Sequence, residues 1–287
     1  MAPPATDSAR VKTQLARARA TLATAGIPLP WLDAEILVAH VLNSSRERLH
    51  SHPERQLTVA QRARLRRLTS RRAARVPVPY LVGEREFYGH MFRVTPAVLI
   101  PRPSSELLVE LAIDWLKAHP DARRVIDLGT GSGAVAISVA KAVPTVRIEA
   151  RDVSARALRV AADNIARHRL RSRITTVKAD LLRRAKPADV ILANLPYIPE
   201  ALRRVRPKEL EYEPGLALDG GKDGLDLIRM ALAQAPAAVK PGGLVLFECD
   251  PAQTRRVVRL AHGHWPDADV TVHKDLAGQD RVVRIQT

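Results

Sequence analysis

The chain has 287 residues, of which 46% are hydrophobic and 26% are charged, a length that allows one large domain and one small one. Its single cysteine, Cys249, excludes an intrachain disulfide, and the scattered histidines show none of the spacings typical of zinc sites. The formal net charge of +16 identifies no partner, because only nine of the 46 basic residues are lysines and the arginines run along the whole chain.

The hydropathy pattern predicts neither a targeting segment nor a membrane-spanning one. The first ten residues lack the apolar core of a signal peptide, and no stretch approaches the ~18 uninterrupted apolar residues of a spanning helix. We therefore expect a metal-free, cytoplasmic protein that does not enter a membrane.

Residues 1–78 are predicted to form a small helical domain. Trp31, Ala34, Val38 and Leu42 recur near the 3.6-residue helical period, and residues 57–75 are rich in Ala, Leu and Arg. The arginines of this second stretch are typical of a solvated helix face, although a weak contact with the ribosome or RNA remains an alternative.

A short linker is predicted at residues 79–100. Pro77 and Pro79 end the helical pattern, and two short apolar stretches flank Gly89 and His90 as in a β-hairpin. From residue 101 to 287, apolar runs alternate with helical patterns, which predicts an α/β fold with a mostly parallel, doubly wound, Rossmann-like sheet. The predicted strands cover residues 124–128, 146–150, 174–177, 190–193 and 244–248. Residues 270–272 and 282–285 could close the sheet as a late hairpin across Gly278.

A glycine-rich loop follows the first of these strands. Gly129, Gly131 and Gly133 surround Thr130 and Ser132, and a helix is predicted at 134–142. Glycines here let the backbone turn sharply and pass close to a ligand, which the N–H groups at the start of the helix also face. The loop predicts a nucleotide-binding site.

Two carboxylates near the loop indicate which class of nucleotide ligand it binds. Asp152 ends the next strand, 19 residues after the last glycine of the loop, where it can accept both hydroxyls of a ribose. Asp127, before the first glycine, suits a ligand with a cationic amino group, as in the methionine part of S-adenosylmethionine. The alternative is a dinucleotide dehydrogenase, whose relaxed glycine pattern the loop also fits.

Three further residues are candidates for the same pocket. Asp180 and Leu181 follow the third strand, where a carboxylate and an apolar side chain could hold an adenine by its amino group and its face. The alternative for Asp180 is a helix-capping or loop aspartate. Arg102, held between two prolines ahead of a helix, could line the cofactor pocket.

The turn Asn194-Leu195-Pro196-Tyr197 follows the fourth strand, at the sheet edge where ligands bind in doubly wound folds. An amide or exocyclic amine is a poor nucleophile, because its lone pair is delocalised. The Asn194 side-chain oxygen and the Leu195 carbonyl can each accept one N–H and so direct the nitrogen at a methyl group. Pro196 stiffens the turn, and Tyr197 can pack on the planar group. The turn predicts methylation of an amide or amino nitrogen.

These motifs resemble the HemK/PrmC family of peptide chain release factor glutamine methyltransferases over nearly the whole chain. The resemblance also rests on residues 32–42, 79–89, 99–103 with Glu106, 247–248 and 275–281. It implies a class I methyltransferase domain after a helical substrate-recognition domain. It further implies that the glycine loop, Asp152, Leu181 and Asn194 contact S-adenosylmethionine, and that residues 194–197 hold a glutamine.

The implied substrate is the glutamine of the Gly-Gly-Gln loop in class I release factors, methylated by a monomer. The sequence departs from the family at Leu195, where a second proline is usual, and at Asp250, where a glycine is usual. Ribosomal protein glutamine methylation and adenine-N6 methylation of RNA or DNA remain alternatives. A helical domain that precedes the glycine loop disfavours the dimethyladenosine enzymes of ribosomal RNA, and the intact carboxylates disfavour a catalytically dead scaffold.

Overall fold

The computed structural model of the chain describes residues 7–205 and 207–287 and divides into two compact units. The first unit comprises Met1–Gly83 together with Lys208–Tyr212, and the second comprises Glu84–Pro207 and Glu213–Thr287. The first six residues, which the sequence analysis assigns to the predicted helical domain, lie outside the described residues.

The first unit is helical, as the sequence predicts. Its helices are α1 (Val11–Thr24), α2 (Pro30–Leu42), α3 (Arg46–Ser51), α4 (Val59–Ala73) and α5 (Val78–Val82). A capping box begins α4, because Thr58 accepts from the Gln61 N–H and the Gln61 side chain accepts from the Thr58 N–H. Leu37 and Val38 pack with Leu65 in the core of the unit, whereas Trp31 stays exposed.

The division differs from the predicted boundaries at two points. Helix α5, which the sequence assigns to the linker beyond residue 78, packs on α2 and α4 in the first unit. The segment Lys208–Tyr212 also belongs to the first unit, where its Glu209 forms an ion pair with Arg72 of α4. The predicted hairpin forms from β1 (Glu84–Phe87) and β2 (His90–Arg93), and its buried Phe87 and Phe92 pack into the second unit.

The second unit contains a seven-stranded sheet with strand order β5-β4-β3-β6-β7-β9-β8. Its strands are β3 (Arg124–Leu128), β4 (Arg147–Asp152), β5 (Ile174–Lys178), β6 (Ala188–Ala193), β7 (Val239–Glu248), β8 (Asp269–Lys274) and β9 (Asp280–Gln286). The first five pair in parallel, and β9 is antiparallel to both β7 and β8. The α/β fold class predicted from the sequence is confirmed, including the late hairpin.

Helices cover both faces of this sheet. They are α6 (Glu106–Ala118), α7 (Ala134–Ala142), α8 (Ala155–Arg167), α9 (Asp226–Ala238) and α10 (Thr254–His264). Successive residues of a strand point to opposite faces. Accordingly, Val190 lies in the core that includes α6 and α7, and the adjacent Ile191 lies in the core that includes α9 and α10. Both are fully buried, and each such side chain stabilises the fold by about 1.5–3 kcal/mol.

The chain reverses its direction across the sheet at β3. It runs outward from β3 to β4 and β5, then returns to place β6 on the other side of β3. In doubly wound sheets such a switch point leaves a crevice at the carboxyl ends of the strands, and ligands bind there.

Among the described residues, no helix combines the length and the apolar character needed to cross a membrane.

Candidate functional site

The glycine loop connects β3 to α7 at the switch point. Gly129, Gly131 and Gly133 have φ values of +74°, +54° and +80°, in the left-handed region that favours glycine. A Cβ on Gly129 would lie 3.2 Å from Leu195 Cδ2 and 3.5 Å from the Asn194 carbonyl oxygen. The loop therefore needs glycine both for its conformation and for its close approach to the turn after β6.

A cavity of about 310 Å³ opens beside this loop. Most of the candidate residues from the sequence line it: Arg102, Asp127, Gly129, Thr130, Gly131, Ser132, Asp152, Asp180, Leu181, Asn194, Leu195 and Pro196. They come from segments that are distant in the sequence, and the topology of the second unit brings them to one crevice. Phe87, Val98 and Val153 add apolar walls that the sequence interpretation did not include.

Two candidates lie beside the cavity rather than on its wall. A Cβ on Gly133 would lie 3.4 Å from the Ala161 Cβ, so this glycine allows α7 and α8 to pack closely. Tyr197 packs among the apolar side chains on the α9 face of the sheet. The predicted contacts of these two residues with ligands remain predictions.

Asp127 is a buried carboxylate on the cavity wall. Its side chain accepts a 2.6 Å hydrogen bond from the Thr130 hydroxyl. Burial raises the pKa of Asp127 to about 6, against the opposing effect of hydrogen bonds from Thr130 and the Ala136 backbone. An ionised carboxylate in this position is costly on its own and attracts a cation.

Asp152 is the last residue of β4 and faces the same cavity. Its two oxygens accept from the Gly131 N–H at 3.0 Å and from the Ser154 N–H at 2.8 Å. Burial raises the pKa of Asp152, and these backbone hydrogen bonds oppose the rise. A carboxylate has about four acceptor positions, so both oxygens can also accept from a pair of hydroxyls.

The loop that contains Asp180 and Leu181 is held by a buried arginine that the sequence interpretation missed. Arg151 donates to the Leu181 carbonyl at 2.9 Å and to the Arg183 carbonyl at 2.7 Å. The Leu181 φ of +50° is rare for a residue with a side chain. Nothing in the sequence singled out Arg151, because it is one of four charged residues among the six of β4.

Arg102 is held on the cavity wall by Glu213. The two side chains form an ion pair, and the second Glu213 oxygen accepts from the Ile100 N–H at 3.0 Å. Only 1% of the Glu213 side chain is exposed. This carboxylate therefore orients the Pro-Arg-Pro segment, and no sequence pattern singled it out.

The turn after β6 is tied down on both sides. The Asn194 side-chain NH₂ donates to the Ser105 hydroxyl at 2.8 Å, and Gln253 Nε2 donates to the Tyr197 carbonyl at 2.9 Å. The Tyr197 hydroxyl lies 3.5 Å from Glu248 Oε1, and burial together with that carboxylate raises the pKa of Tyr197. Asn194 is half-buried, and its hydrogen bond to Ser105 holds its side chain.

Both departures from the family pattern have a local explanation. Leu195 is buried in the core and packs beside Gly129, where an added Cβ would lie 3.2 Å from Leu195 Cδ2. Asp250 begins a tight turn, because its side chain accepts from the Ala252 N–H at 2.9 Å and its own N–H donates to Gln253 Oε1 at 3.1 Å.

The tightest backbone approach to this turn is at Gly224, which has a φ of +80°. A Cβ there would lie 2.3 Å from both the Tyr197 carbonyl oxygen and Gln253 Nε2. We expect Gly224→Ala to lower the free energy of unfolding by about 2–4 kcal/mol. The alanine would have to adopt a left-handed backbone conformation, and its Cβ would also overlap a backbone atom.

Urea denaturation measures this change, with Gly263→Ala as the matched control. Gly263 lies in α10 with no atom within 4 Å of its added Cβ, so alanine there should stabilise the helix by about 0.5–1 kcal/mol. Equal effects of the two substitutions would contradict the close approach at Gly224.

The cavity fits S-adenosylmethionine. Asp127 could hold a cationic amino group, and Asp152 could hold the two hydroxyls of a ribose. Leu181 and Val153 provide apolar surface for a flat base, and the Asp180 carboxylate could accept a hydrogen bond from it. A glycine loop after β3 with one carboxylate before it and a second at the end of β4, on this sheet topology, is typical of the class I S-adenosylmethionine-dependent methyltransferases.

Comparisons with known proteins identify the family. The family model of the PrmC N-terminal domain matches residues 13–83, and that of the methyltransferase small domain matches residues 103–204. The release factor glutamine methyltransferase of Moorella thermoacetica is 39% identical over 273 residues, which cover 94% of this chain and 96% of the relative. That of Bordetella pertussis is 41% identical over 260 residues, which cover 88% and 94%. The chain belongs to the family of release factor glutamine methyltransferases.

A solved structure supports the fold independently of sequence. The catalytic domain of hMettl16, in complex with the MAT2A 3'UTR hairpin 6, aligns with a TM-score of 0.54 at 15% identity. The alignment covers 76% of this chain and 81% of that one. At this identity the likeness concerns the methyltransferase fold alone.

Proposed function

We propose that this chain transfers the methyl group of S-adenosylmethionine to the side-chain amide nitrogen of the glutamine in the Gly-Gly-Gln loop of class I peptide chain release factors. The observation that carries the proposal is the position of Asn194. It faces the same cavity as Asp127 and Asp152, and its NH₂ group is already committed to Ser105. Relatives that share most of this chain's length are release factor glutamine methyltransferases.

The chemistry of an amide explains what Asn194 contributes. A glutamine nitrogen has its lone pair delocalised into the carbonyl, so the reaction depends on orientation more than on a strong base. With its NH₂ group bonded to Ser105, Asn194 has its oxygen left to accept one N–H of the substrate. The Leu195 carbonyl is the second proposed acceptor, and the two together direct the nitrogen at the methyl group.

When bound, S-adenosylmethionine supplies a methyl group on a sulfonium sulfur. In the proposed step the N–C bond forms as the S–C bond breaks, which leaves S-adenosylhomocysteine. The methylated amide nitrogen then loses its extra proton to water. We propose that Asp127 attracts the amino group of the methionine end, that Asp152 holds the ribose, and that Asp180 and Leu181 flank the adenine.

The proposed role of Asp127 makes cofactor binding dependent on pH. Only the ionised carboxylate attracts an ammonium group, and in the free protein the pKa of Asp127 is raised to about 6. Affinity should be complete above this pKa and be lost as the pH falls through it. We expect binding of S-adenosylhomocysteine, which has the same amino group, to be about tenfold weaker at pH 5 than at pH 7.5.

Isothermal titration calorimetry at both pH values measures this dependence. The burial of Asp152 raises its pKa too, so an Asp127→Asn variant separates the two carboxylates. That variant should bind weakly at pH 7.5 and change little between the two pH values. A variant with the full pH dependence of the wild type would assign the titration to another group.

The proposed function is tested by methyl transfer from labelled S-adenosylmethionine, offered in parallel to four acceptors. These are a class I release factor, its variant with the loop glutamine changed to alanine, ribosomal protein and ribosomal RNA. We expect label on the release factor and none on its variant. Label on ribosomal protein or RNA alone would favour the corresponding alternative and contradict this proposal.

We further propose that the enzyme acts as a monomer in the cytoplasm. One chain supplies both the cofactor carboxylates and the acceptor turn, and the proposed substrates are factors of translation. Size-exclusion chromatography with light scattering tests the oligomeric state. A weak contact of the chain with the ribosome or RNA stays a prediction.

A further inference from the structure

Gln253 is a buried amide beside the acceptor turn, which is the turn at residues 194–197. It immediately precedes α10, and only 5% of the residue is exposed. Its Nε2 donates to the Tyr197 carbonyl at 2.9 Å and to the Asp223 carbonyl at 3.2 Å. Its Oε1 accepts from the Asp250 N–H at 3.1 Å. The side chain therefore uses both N–H groups and its oxygen to join three segments of the second unit.

The direction of this amide is fixed by the backbone groups around it. A backbone carbonyl can only accept, and a backbone N–H can only donate. If the Gln253 amide turned over, its oxygen would face the carbonyls of Tyr197 and Asp223, and its NH₂ group would face the Asp250 N–H. Every one of these contacts would then be lost inside the protein, where polar groups without partners are costly. The NH₂ group is thus committed to the two carbonyls.

The backbone around this amide is packed too closely for a side chain at position 224. A Cβ on Gly224 would lie 2.3 Å from both Gln253 Nε2 and the Tyr197 carbonyl oxygen. The loop that contains Gly224 also pairs with the residue after the acceptor turn, because the Gly220 N–H donates to the Ile198 carbonyl at 3.0 Å. Gln253 therefore fastens the end of the acceptor turn to this loop.

The position of the Tyr197 carbonyl matters for the proposed reaction. Tyr197 follows Leu195 by two residues, and the Leu195 carbonyl is a proposed acceptor of a substrate N–H. The other end of the turn is held by the 2.8 Å hydrogen bond from Asn194 to Ser105. A displacement of about 1 Å at a reacting centre can cost about 10²-fold in rate. The turn directs its two acceptors accurately only if both of its ends are held.

We infer that Gln253 is a positioning residue for methyl transfer: it holds the Tyr197 carbonyl, so that Asn194 and the Leu195 carbonyl stay directed at the acceptor nitrogen. This inference rests on the proposed function, in which these two groups accept the N–H groups of a glutamine. Gln253 is absent from the described residues that line the cavity. Its effect reaches the substrate through the acceptor turn.

Three variants test the inference. Gln253→Glu keeps the shape of the side chain but cannot donate while it is ionised, and Gln253→Met keeps the length but donates at no pH. Thr254→Val is the matched control. Thr254 is the next residue and is buried, and its hydroxyl donates to the Pro251 carbonyl at 3.1 Å, within the turn before α10.

The glutamate variant has a pH dependence that a general structural defect would not produce. An ionised carboxylate would face two carbonyls, and the Asp223 and Asp250 carboxylates of the adjoining segments also oppose its ionisation. Arg229 and Arg256 pair with Asp223 and reduce that effect. Once protonated, the introduced carboxyl group has one O–H that can donate to the Tyr197 carbonyl. Its activity should therefore recover as the pH falls.

The measured quantities are kcat and KM for the release factor, the Kd of S-adenosylhomocysteine and the melting temperature. Each kcat is divided by that of the wild type at the same pH, with saturating cofactor, so that the titration of Asp127 cancels. At about pH 8 we expect relative kcat to fall at least about tenfold in Gln253→Glu and Gln253→Met. At about pH 5.5 it should recover at least about threefold in Gln253→Glu and stay low in Gln253→Met.

The control and the binding constants separate positioning from folding. Relative kcat of Thr254→Val should fall less than about threefold at both pH values. The Kd of S-adenosylhomocysteine should stay within about threefold of the wild type in all three variants, because Gln253 is not proposed to bind the cofactor. Equal losses of kcat in the three variants, together with a raised Kd and a lower melting temperature, would assign Gln253 a general structural role and overturn the inference.

A carbonyl resonance provides a readout that needs no activity. The chain has four tyrosines, so labelling their carbonyl carbons with ¹³C gives few signals, and Tyr197→Phe identifies the one of Tyr197. This signal should move in both Gln253 variants at about pH 8 and stay in place in Thr254→Val. A moved signal with unchanged kcat would overturn the inference, as would a glutamate variant that does not recover at low pH. A wild type without methyl transfer to the release factor would instead refute the proposed function.

Discussion

Replacing Asn194 with alanine is expected to lower kcat by about 10²–10³-fold, the usual loss when one oriented polar group is removed from a reacting centre. The substrate nitrogen would keep the Leu195 carbonyl as its only acceptor in the turn and would sample orientations that do not face the methyl group. Single-turnover methyl transfer to the release factor measures this loss without interference from product release.

The Kd of S-adenosylhomocysteine in Asn194→Ala should stay within about fivefold of the wild type, because the carboxylates that are proposed to bind it are unchanged. Asn194→Asp is an informative companion, since it keeps an oxygen acceptor but cannot donate to Ser105. We expect its kcat to lie between those of the wild type and the alanine variant. An alanine variant with normal binding and full turnover would refute the proposed orientation of the acceptor.

Replacing Asp152 with alanine is expected to weaken cofactor binding at least about 10²-fold. Two hydrogen bonds from the ribose to a carboxylate should each contribute about 1.5–3 kcal/mol, and about 2.7 kcal/mol already corresponds to that factor. The glycine loop would also lose its tie between the Gly131 N–H and Asp152. Calorimetric titration with S-adenosylhomocysteine at pH 7.5 measures the effect.

Asp163→Ala is the matched control for Asp152→Ala. Asp163 lies on α8 in the same unit, is half exposed, and pairs with exposed Arg93 away from the cavity lining. Its loss should change the Kd less than twofold, since exposed ion pairs contribute ~0–1 kcal/mol. If the two substitutions weakened binding equally, a loss of overall charge would explain both, and the ribose assignment would be wrong.

The fold was largely predictable from the sequence because most strands of the sheet can be recognised from a few consecutive residues. The central strands are buried on both faces, so β6 contains the apolar run 190–193 and β3 is apolar apart from Arg124 and Asp127. The start of β7 was missed: its first residues, Val239 to Gly243, include a proline and two glycines, which argue locally against a strand. These residues are part of the strand because Val239 pairs with Ala188, and a bulge separates this pair from the pair of Val190 and Leu244.

The cavity residues were predictable for a different reason. The glycine loop, Asp152 and the turn at Asn194 each follow the carboxyl end of a strand, and the topology of a doubly wound sheet brings those ends together. Tyr197 shows the limit of this argument. A local motif places its backbone in the turn, but the packing of α9 and the Glu248 carboxylate determine where its ring lies.

The supporting contacts could not be predicted from local sequence. Asn194 and Ser105 are 89 residues apart, Ser104 and Glu248 are 144 apart, and Glu213 is 113 residues from Ile100. None of these pairs has a spacing that a helix, strand or turn imposes. They follow from the way that β6, β7 and the start of α6 meet in three dimensions.

Tandem mass spectrometry of the methylated release factor tests the proposed function most directly, because it shows where the methyl group goes. After incubation with the wild-type enzyme and S-adenosylmethionine, we expect one added methyl group, on the side-chain nitrogen of the glutamine in the Gly-Gly-Gln loop. A methyl group on any other residue, or a release factor left unmodified while another acceptor is methylated, would contradict the proposal that Asn194 and Leu195 orient a glutamine amide.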